Sequence, residues 1–155
     1  RRGGFSSAEA YAWHRDLIER KGAQYDPRVL VRIMRGKDQD AADYINLAGA
    51  RADLIRRVAA VSRDYDALVM PTVPIVAPAL ASLEAEDTFH TTNLLVLRNT
   101  SVGNLLDRCA ISIPCHHAGE APVGLMLFGE HGGDRKLFAL AAAIEAVLSP
   151  WAAKT

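Results

Sequence analysis

Apolar residues recur at helical intervals through roughly the first 65 positions and gather into short uninterrupted runs after them, and this change of period organises the chain. Ser6 and Glu9 have capping-box spacing, and Tyr11, Leu17 and Ile18 continue at helical intervals to Gly22, which predicts a helix over 7–21. Asp26 followed by Pro27 marks a second start, because Asp can accept from free N–H groups while Pro at the first helical position loses no internal bond. Gly36 predicts its end. Between Asp38 and Asp64, Tyr44, Leu47, Ala48, Leu54, Ile55, Val58 and Val61 keep near a 3.6-residue period and predict the longest helix.

The run Asp66–Met70 is short, apolar and closed by Pro71, which predicts a strand buried on both faces. Pro71, Pro74 and Pro78 lack N–H donors, so the stretch PTVPIVAPAL should be an ordered loop outside any ladder. Residues 84–90 read as surface. A helix is expected from about Thr91 through Leu97, with a separate turn near Val102–Leu106. Cys109–Pro114 and Val123–Phe128 read as two strands of a hairpin, turned at Gly119 and Pro122. Asp134 should cap a last helix whose Leu137, Leu140, Ala141, Ile144, Val147 and Leu148 form one stripe, ended by Pro150. The expected organisation is one domain over 1–155, helical over 1–65 and made of sheet and helices over 66–150. Three strands this apolar ask for cover on both faces and for membership of a larger sheet.

Composition changes the picture mainly by exclusion. Half of the 155 residues are hydrophobic and 23% are charged, as in a globular domain with a real core. Lys plus Arg and Asp plus Glu are both 18, so no net field draws a nucleic acid or an anionic membrane, and neither partner is expected. Cys109 and Cys115 are too few for a disulfide framework, and with no signal-peptide pattern they place the expectation in the cytoplasm. No Walker-type loop, GxGxxG or paired CxxC occurs, so no cofactor is expected.

Four blocks occur in a recognisable order: MPTVP at Met70–Pro74, NTSVGN at Asn99–Asn104, AISIPC at Ala110–Cys115 and PVGLMLFG at Pro122–Gly129. Gly133, Asp134 and an Ala-rich helix with Glu145 complete the series, and AEAYAWHRDLIERKGAQYDPRVLVRI precedes it. Together they resemble the C-terminal region of amidase-signature hydrolases over nearly the whole chain. The resemblance implies an α/β fold, with a partial mixed sheet covered by helices as the C-terminal portion of the family's domain. It also implies hydrolysis of a carboxamide to a carboxylic acid and ammonia or amine through an acyl-serine. The family's Ser/cis-Ser/Lys triad has no match here: Gly3, Gly4, Ser6 and Ser7 abut a helix cap, and Lys21, Lys37, Lys136 and Lys154 adjoin no Gly/Ser-rich segment. The chain therefore reads as the scaffold of an amidase whose nucleophile and base precede Arg1, inactive alone, and binding an amide substrate only with that missing part. A tRNA-amidotransferase branch stays open beside simple amidases. The alternative is a non-catalytic interaction module or degenerate paralogue that binds a partner through the exposed sheet edge, and on either reading the truncated chain is expected to self-associate through it.

Thr72, Asn99, Thr100, Ser101 and Asn104 are the candidate substrate-pocket residues, since clustered amides and hydroxyls beside a buried strand can bind a substrate or an opposing loop. The same residue types also cap and connect short helices. Cys115, His116, His117 and His131 are the best candidate metal ligands, yet neighbouring strand residues face apart and an exposed hairpin turn explains them, so no metal is expected. Ser112 stands on a strand without an adjacent base in sequence.

Overall fold

The computed structural model describes residues 4–152, with side chains described through residue 148. The chain divides into two compact units, Arg1–Asp53 and Leu54–Thr155. Gly3 and Lys154 lie outside the described residues.

The first unit holds α1 (Gly4–Lys21), α2 (Pro27–Met34) and the start of α3 (Ala41–Ser62), joined by 3-10 turns at Gly22–Gln24 and Arg35–Asp38. Helix α1 already begins at Gly4, so Ser6 and Ser7 lie inside its first turns and the expected Ser6–Glu9 cap does not mark its start. Glu9 instead accepts the Tyr44 hydroxyl at 3.0 Å, an exposed contact that raises the Tyr44 pKa. Helix α2 starts as expected, with the Asp26 carboxylate accepting from Arg28 N–H at 2.8 Å and Pro27 in the first turn. At the start of α3, Asp40 Oδ1 accepts from Asp43 N–H at 2.7 Å while Asp43 Oδ2 accepts from Asp40 N–H at 3.4 Å. This reciprocal pair is a capping box with Asp in the place of Glu. Gly36 is buried against the backbone of Ser7 and Ala8, where any Cβ would collide.

The second unit is built on a sheet of order β1-β3-β2, with β1 at Leu68–Pro71, β2 at Ala110–Pro114 and β3 at Gly124–Phe128. Both pairings are antiparallel, so β2 and β3 form the expected hairpin and β3 is the central strand. The register sets Leu68, Phe128 and Ala110 in one row and Val69, Leu127 and Ile111 in the next, which sends alternate rows to opposite faces. Helix α5 (Asp134–Ala152) covers the Leu127 face, packing Leu137 and Ala141 on Ile113 and Leu127 with Ala67, Cys109, Ile111, Ile144 and Leu148 around them. It runs two residues past Pro150, because a proline in a last turn removes a single internal donor. Helix α4 (Glu86–Leu106) meets the other face, its Gly103 lying directly against the Phe128 ring. Leu127 and Phe128 are fully buried, each contributing roughly 1.5–3 kcal/mol of transfer free energy.

Three expectations change here. Pro71 and Thr72, expected to lie in a loop outside any ladder, continue the pairing with β3, because Pro71 ends an edge strand where its missing N–H costs no ladder bond and Thr72 still has an N–H to donate. Strand β1 is not buried on both faces: it is an edge strand, and Val69 is 54% exposed because α5 packs over β2 and β3 instead. Helix α4 is one continuous helix beginning at Glu86, with no break between Leu97 and Val102. The reason lies in Thr100 and Ser101, whose hydroxyls donate back to the Leu97 carbonyl at 3.2 and 2.6 Å and so stay within the helix instead of capping a break. The helix ends at left-handed Asp107 (φ 56°), where Arg108 N–H reaches the Gly103 carbonyl at 3.1 Å and Asp107 N–H the Asn104 carbonyl at 3.4 Å. Among the described residues no helix is long and apolar enough to cross a membrane.

Candidate substrate-binding site

The polar groups of interest gather where β1 leaves the sheet. After Pro71 the chain makes one more ladder bond, Thr72 N–H to the Gly124 carbonyl at 2.8 Å, and then turns away into the proline-rich loop. That bond fixes Thr72 beside Gly124 on the central strand. On the far side of Gly124, Ser112 of β2 stands on the same sheet face and leans diagonally across the glycine, so that the Thr72 and Ser112 hydroxyls meet at 2.5 Å. A Cβ on Gly124 would come within 2.6 Å of Thr72 Oγ1 and closer still to Ser112 Oγ, so the pair forms only because this position is glycine.

Asn99 fixes the neighbouring backbone. It is buried on α4, and its Nδ2 donates to the Pro71 carbonyl at 2.7 Å while its Oδ1 accepts from Arg98 Nε at 3.2 Å. A buried carboxamide costs free energy unless satisfied, and here it is satisfied by tying α4 to the end of β1. Of the five residues expected from sequence, the structure thus brings Thr72 and Asn99 to one place. Thr100 and Ser101 spend their hydroxyls on Leu97, and Ser101, two helical positions from Asn99, lies exposed about 200° around the helix. Asn104 is also exposed, and its carbonyl accepts the Asp107 N–H of the helix end.

Sequence reasoning set Ser112 aside, because its partners are distant in sequence and only the register reveals them. The signal that could have found it was Gly124 within the apolar run Val123–Phe128, a residue that weakens a strand and marks a close approach.

The histidine and cysteine candidates do not converge. His116 Nδ1 lies 3.3 Å from the Val123 N and carbonyl O in the hairpin, whereas His131 Nδ1 lies 3.0 Å from the Asp107 carbonyl and 3.3 Å from its carboxylate at the end of α4. Cys109 donates its thiol to the Glu130 carbonyl at 3.0 Å, and both cysteines are free. Among the described residues no three His, Cys, Asp or Glu side chains are grouped to hold a metal. Lys136 pairs with Asp66 at 2.9 Å, which raises its pKa, the opposite of the depression a lysine base needs. A cleft lined by Ala110, Ile111, Asp134, Leu137 and Phe138 holds about 60 Å³, well short of the ~300–1,000 Å³ of small-molecule pockets.

Comparison with known proteins agrees with the order of sequence blocks. The sequence model of the amidase family matches residues 7–138. The chain is 32% identical over 152 residues to the 2-amino-5-chloromuconic acid deaminase of Comamonas testosteroni, covering 96% of this chain and 32% of that protein. It is 29% identical over 137 residues to a glutamyl-tRNA(Gln) amidotransferase subunit of Salinispora tropica, covering 83% of this chain and 27% of that one. Among solved structures, the allophanate hydrolase of Kluyveromyces lactis superposes with a TM-score of 0.77 at 26% identity, covering 98% of this chain and 25% of that chain. The chain therefore spans about a third or less of the length of these relatives. The match over most of its length, with the shared α/β fold, makes this chain a member of the amidase family of hydrolases.

Proposed function

We propose that the chain is the C-terminal part of an amidohydrolase that cleaves a carboxamide to a carboxylic acid and ammonia or amine through an acyl-serine, with the Ser/cis-Ser/Lys triad contributed by sequence before Arg1. The single observation that carries this reading is coverage: the chain aligns across nearly its whole length with a deaminase of which it spans 32%. The sheet and α4 then supply one wall of the substrate pocket, with Thr72 and Asn99 its polar members and Thr100, Ser101 and Asn104 on the adjoining helix. A cytoplasmic setting belongs to the same reading and is supported by the two free cysteines. The experiment is to read the frame upstream of Arg1, express it together with the chain, and measure ammonia release from aliphatic and aryl amides. Hydrolysis that disappears when the upstream serine is changed supports the reading; an in-frame start with no Gly/Ser-rich segment, or an extended protein without turnover, refutes it. The isolated chain should not hydrolyse these amides.

One observation favours a second reading, an interaction module. Strand β1 has an open edge and Val69 beside it is 54% exposed, an arrangement that can accept another strand or a second copy of the chain. Concentration-dependent association in light scattering supports it. A monodisperse monomer counts against it.

A further inference from the structure

We propose that the open edge of β2 pairs with β2 of a second copy of this chain, on a two-fold axis beside Ile111. The hydrogen-bond pattern decides which residues face that edge. Gly129 N–H donates to the Cys109 carbonyl and Cys115 N–H to the Val123 carbonyl, both at 2.9 Å, so the odd-numbered residues of β2 spend their backbone groups on β3. Ala110, Ser112 and Pro114 turn theirs outward, where no strand meets them among the described residues. An antiparallel copy centred on Ile111 sets Ala110 against Ser112 on both sides of the axis, and each couple exchanges two N–H to carbonyl bonds. A copy centred on Ser112 would instead set the Pro114 ring against the Ala110 carbonyl, which then has no donor. The β1 edge offers less: its outward residues are Val69 and Pro71, and Pro71 has no N–H and gives its carbonyl to Asn99.

What lies beside the edge favours a second copy over an unrelated strand. Helix α5 covers β2 and β3, and its Phe138, 66% exposed, lines the cleft formed with Ala110, Ile111, Asp134 and Leu137. One turn further along α5 the exposed residue is the small Ala142. A two-fold axis normal to the sheet puts both α5 helices on one face and antiparallel. With strands ~4.8 Å apart and α5 over the β2–β3 pair, their axes lie about 10 Å apart, the spacing at which helices pack. Phe138 of each copy then faces Phe138 and Ala142 of the other, and the second copy's Ile111 reaches the mouth of the cleft. Charge does not oppose this contact: Ala110–Pro114 carries none of the lysines or acids that guard exposed edges, and 18 basic against 18 acidic residues leave the copies without net repulsion. The area sets the strength. Each Phe138 has about 100–160 Å² left to bury, given ~150–250 Å² for a whole aromatic side chain. With one five-residue strand per copy beside it, the contact falls short of the ~1,200–2,000 Å² of stable pairs, so the dimer is weak and reversible.

The proposal does not rest on amide hydrolysis, and turnover or its absence leaves it unmoved. Sedimentation of the 155-residue chain from about 1 to about 300 μM should show a monomer passing reversibly to a dimer. Phe138→Glu sets like charges against each other across the axis and should weaken the dimer about tenfold. Ala110→Pro removes an outward N–H and no bond to β3, so it should weaken the dimer by about as much and decides the matter even where Phe138→Glu disturbs α5. Val69→Lys, on the β1 edge, should leave the dimer unchanged. In a mixture of 13C-labelled and unlabelled chains, an intermolecular NOE between Ile111 α protons is expected, because facing Cα atoms in such a pair lie ~4.5 Å apart. A monomer at every concentration, a dimer that persists unweakened in a folded Phe138→Glu or Ala110→Pro chain, or a dimer lost in Val69→Lys overturns the proposal. A chain extended upstream of Arg1 that stays monomeric gives the β2 edge to the upstream sequence and overturns it as well.

Discussion

Replacing Gly103 by alanine tests the packing of α4 on the sheet against the intrinsic preference of a helix for alanine. In the middle of a helix the change from glycine should gain about 0.5–1 kcal/mol, since glycine loses the most backbone freedom on folding. At this position the new Cβ would sit 2.5 Å from Phe128 Cε1 and 3.0 Å from Cδ1, whereas carbon atoms attract best near ~3.5–4.0 Å. Phe128 is 1% exposed on the central strand, so the ring cannot swing into solvent and the helix must move away from β3. Overpacking of this kind costs about 1–3 kcal/mol, so the net expectation runs from no change to a loss of about 2.5 kcal/mol. Gly49 is the internal control: it lies inside α3 with nothing within 4 Å of where a methyl would sit, so Gly49→Ala should gain about 0.5–1 kcal/mol. Urea unfolding followed by circular dichroism reads both, and 1 kcal/mol moves the midpoint by ~0.5 M when the slope is ~2 kcal/mol/M. Phe128→Leu in the Gly103→Ala background should cost less than the two changes summed, because the smaller side chain makes room. A Gly103→Ala midpoint raised as much as that of Gly49→Ala would refute the close approach.

Asp40→Ala removes the acceptor of the 2.7 Å bond from Asp43 N–H and should cost about 1 kcal/mol, read as a lower urea midpoint of the helical signal; no change would show that the capping box does not hold the start of α3. Lys136→Met removes an ion pair whose partner, Asp66, raises the lysine pKa above its ordinary 10.5. A raised folded-state pKa means the contribution is complete below pH 10.5 and lost as pH rises through the folded value, so the Tm difference between parent and variant should be constant from pH 7 to 9 and close at higher pH. A difference that persists or widens there would contradict this assignment. The pair is well exposed, so the same difference should shrink with added salt.

Local signals were readable from the sequence wherever one residue and its near neighbours decide the outcome. Asp26 before Pro27 starts α2, and the two apolar runs around Gly119 pair as a hairpin, each by chemistry confined to a few positions. The misjudged places depend on groups that can satisfy either of two local structures. Thr100 and Ser101 can cap a break or bond back to Leu97, and the sequence alone does not say which of the two their hydroxyls do. The apolar run of β1 does not reveal that, among the described residues, it pairs on one side only and that α5 lies elsewhere. The candidate site was half visible for the same reason. Thr72 and Asn99 stand in recognisable blocks, but Ser112 joins them only through a register that brings residues 40 apart into contact.

The central place of β3 also sets an order of events during synthesis. Strands β1 and β2 each pair with β3 and not with each other, so neither has a ladder partner until Gly124–Phe128 has left the ribosome. Until then β1, with its exposed Val69, and the apolar β2 are nascent segments without a sheet, in need of shelter from aggregation. A ribosome that stalls before Gly124 leaves β1 and β2 without the strand that joins them, and the last few strand residues of the three to emerge are the ones that let this sheet form.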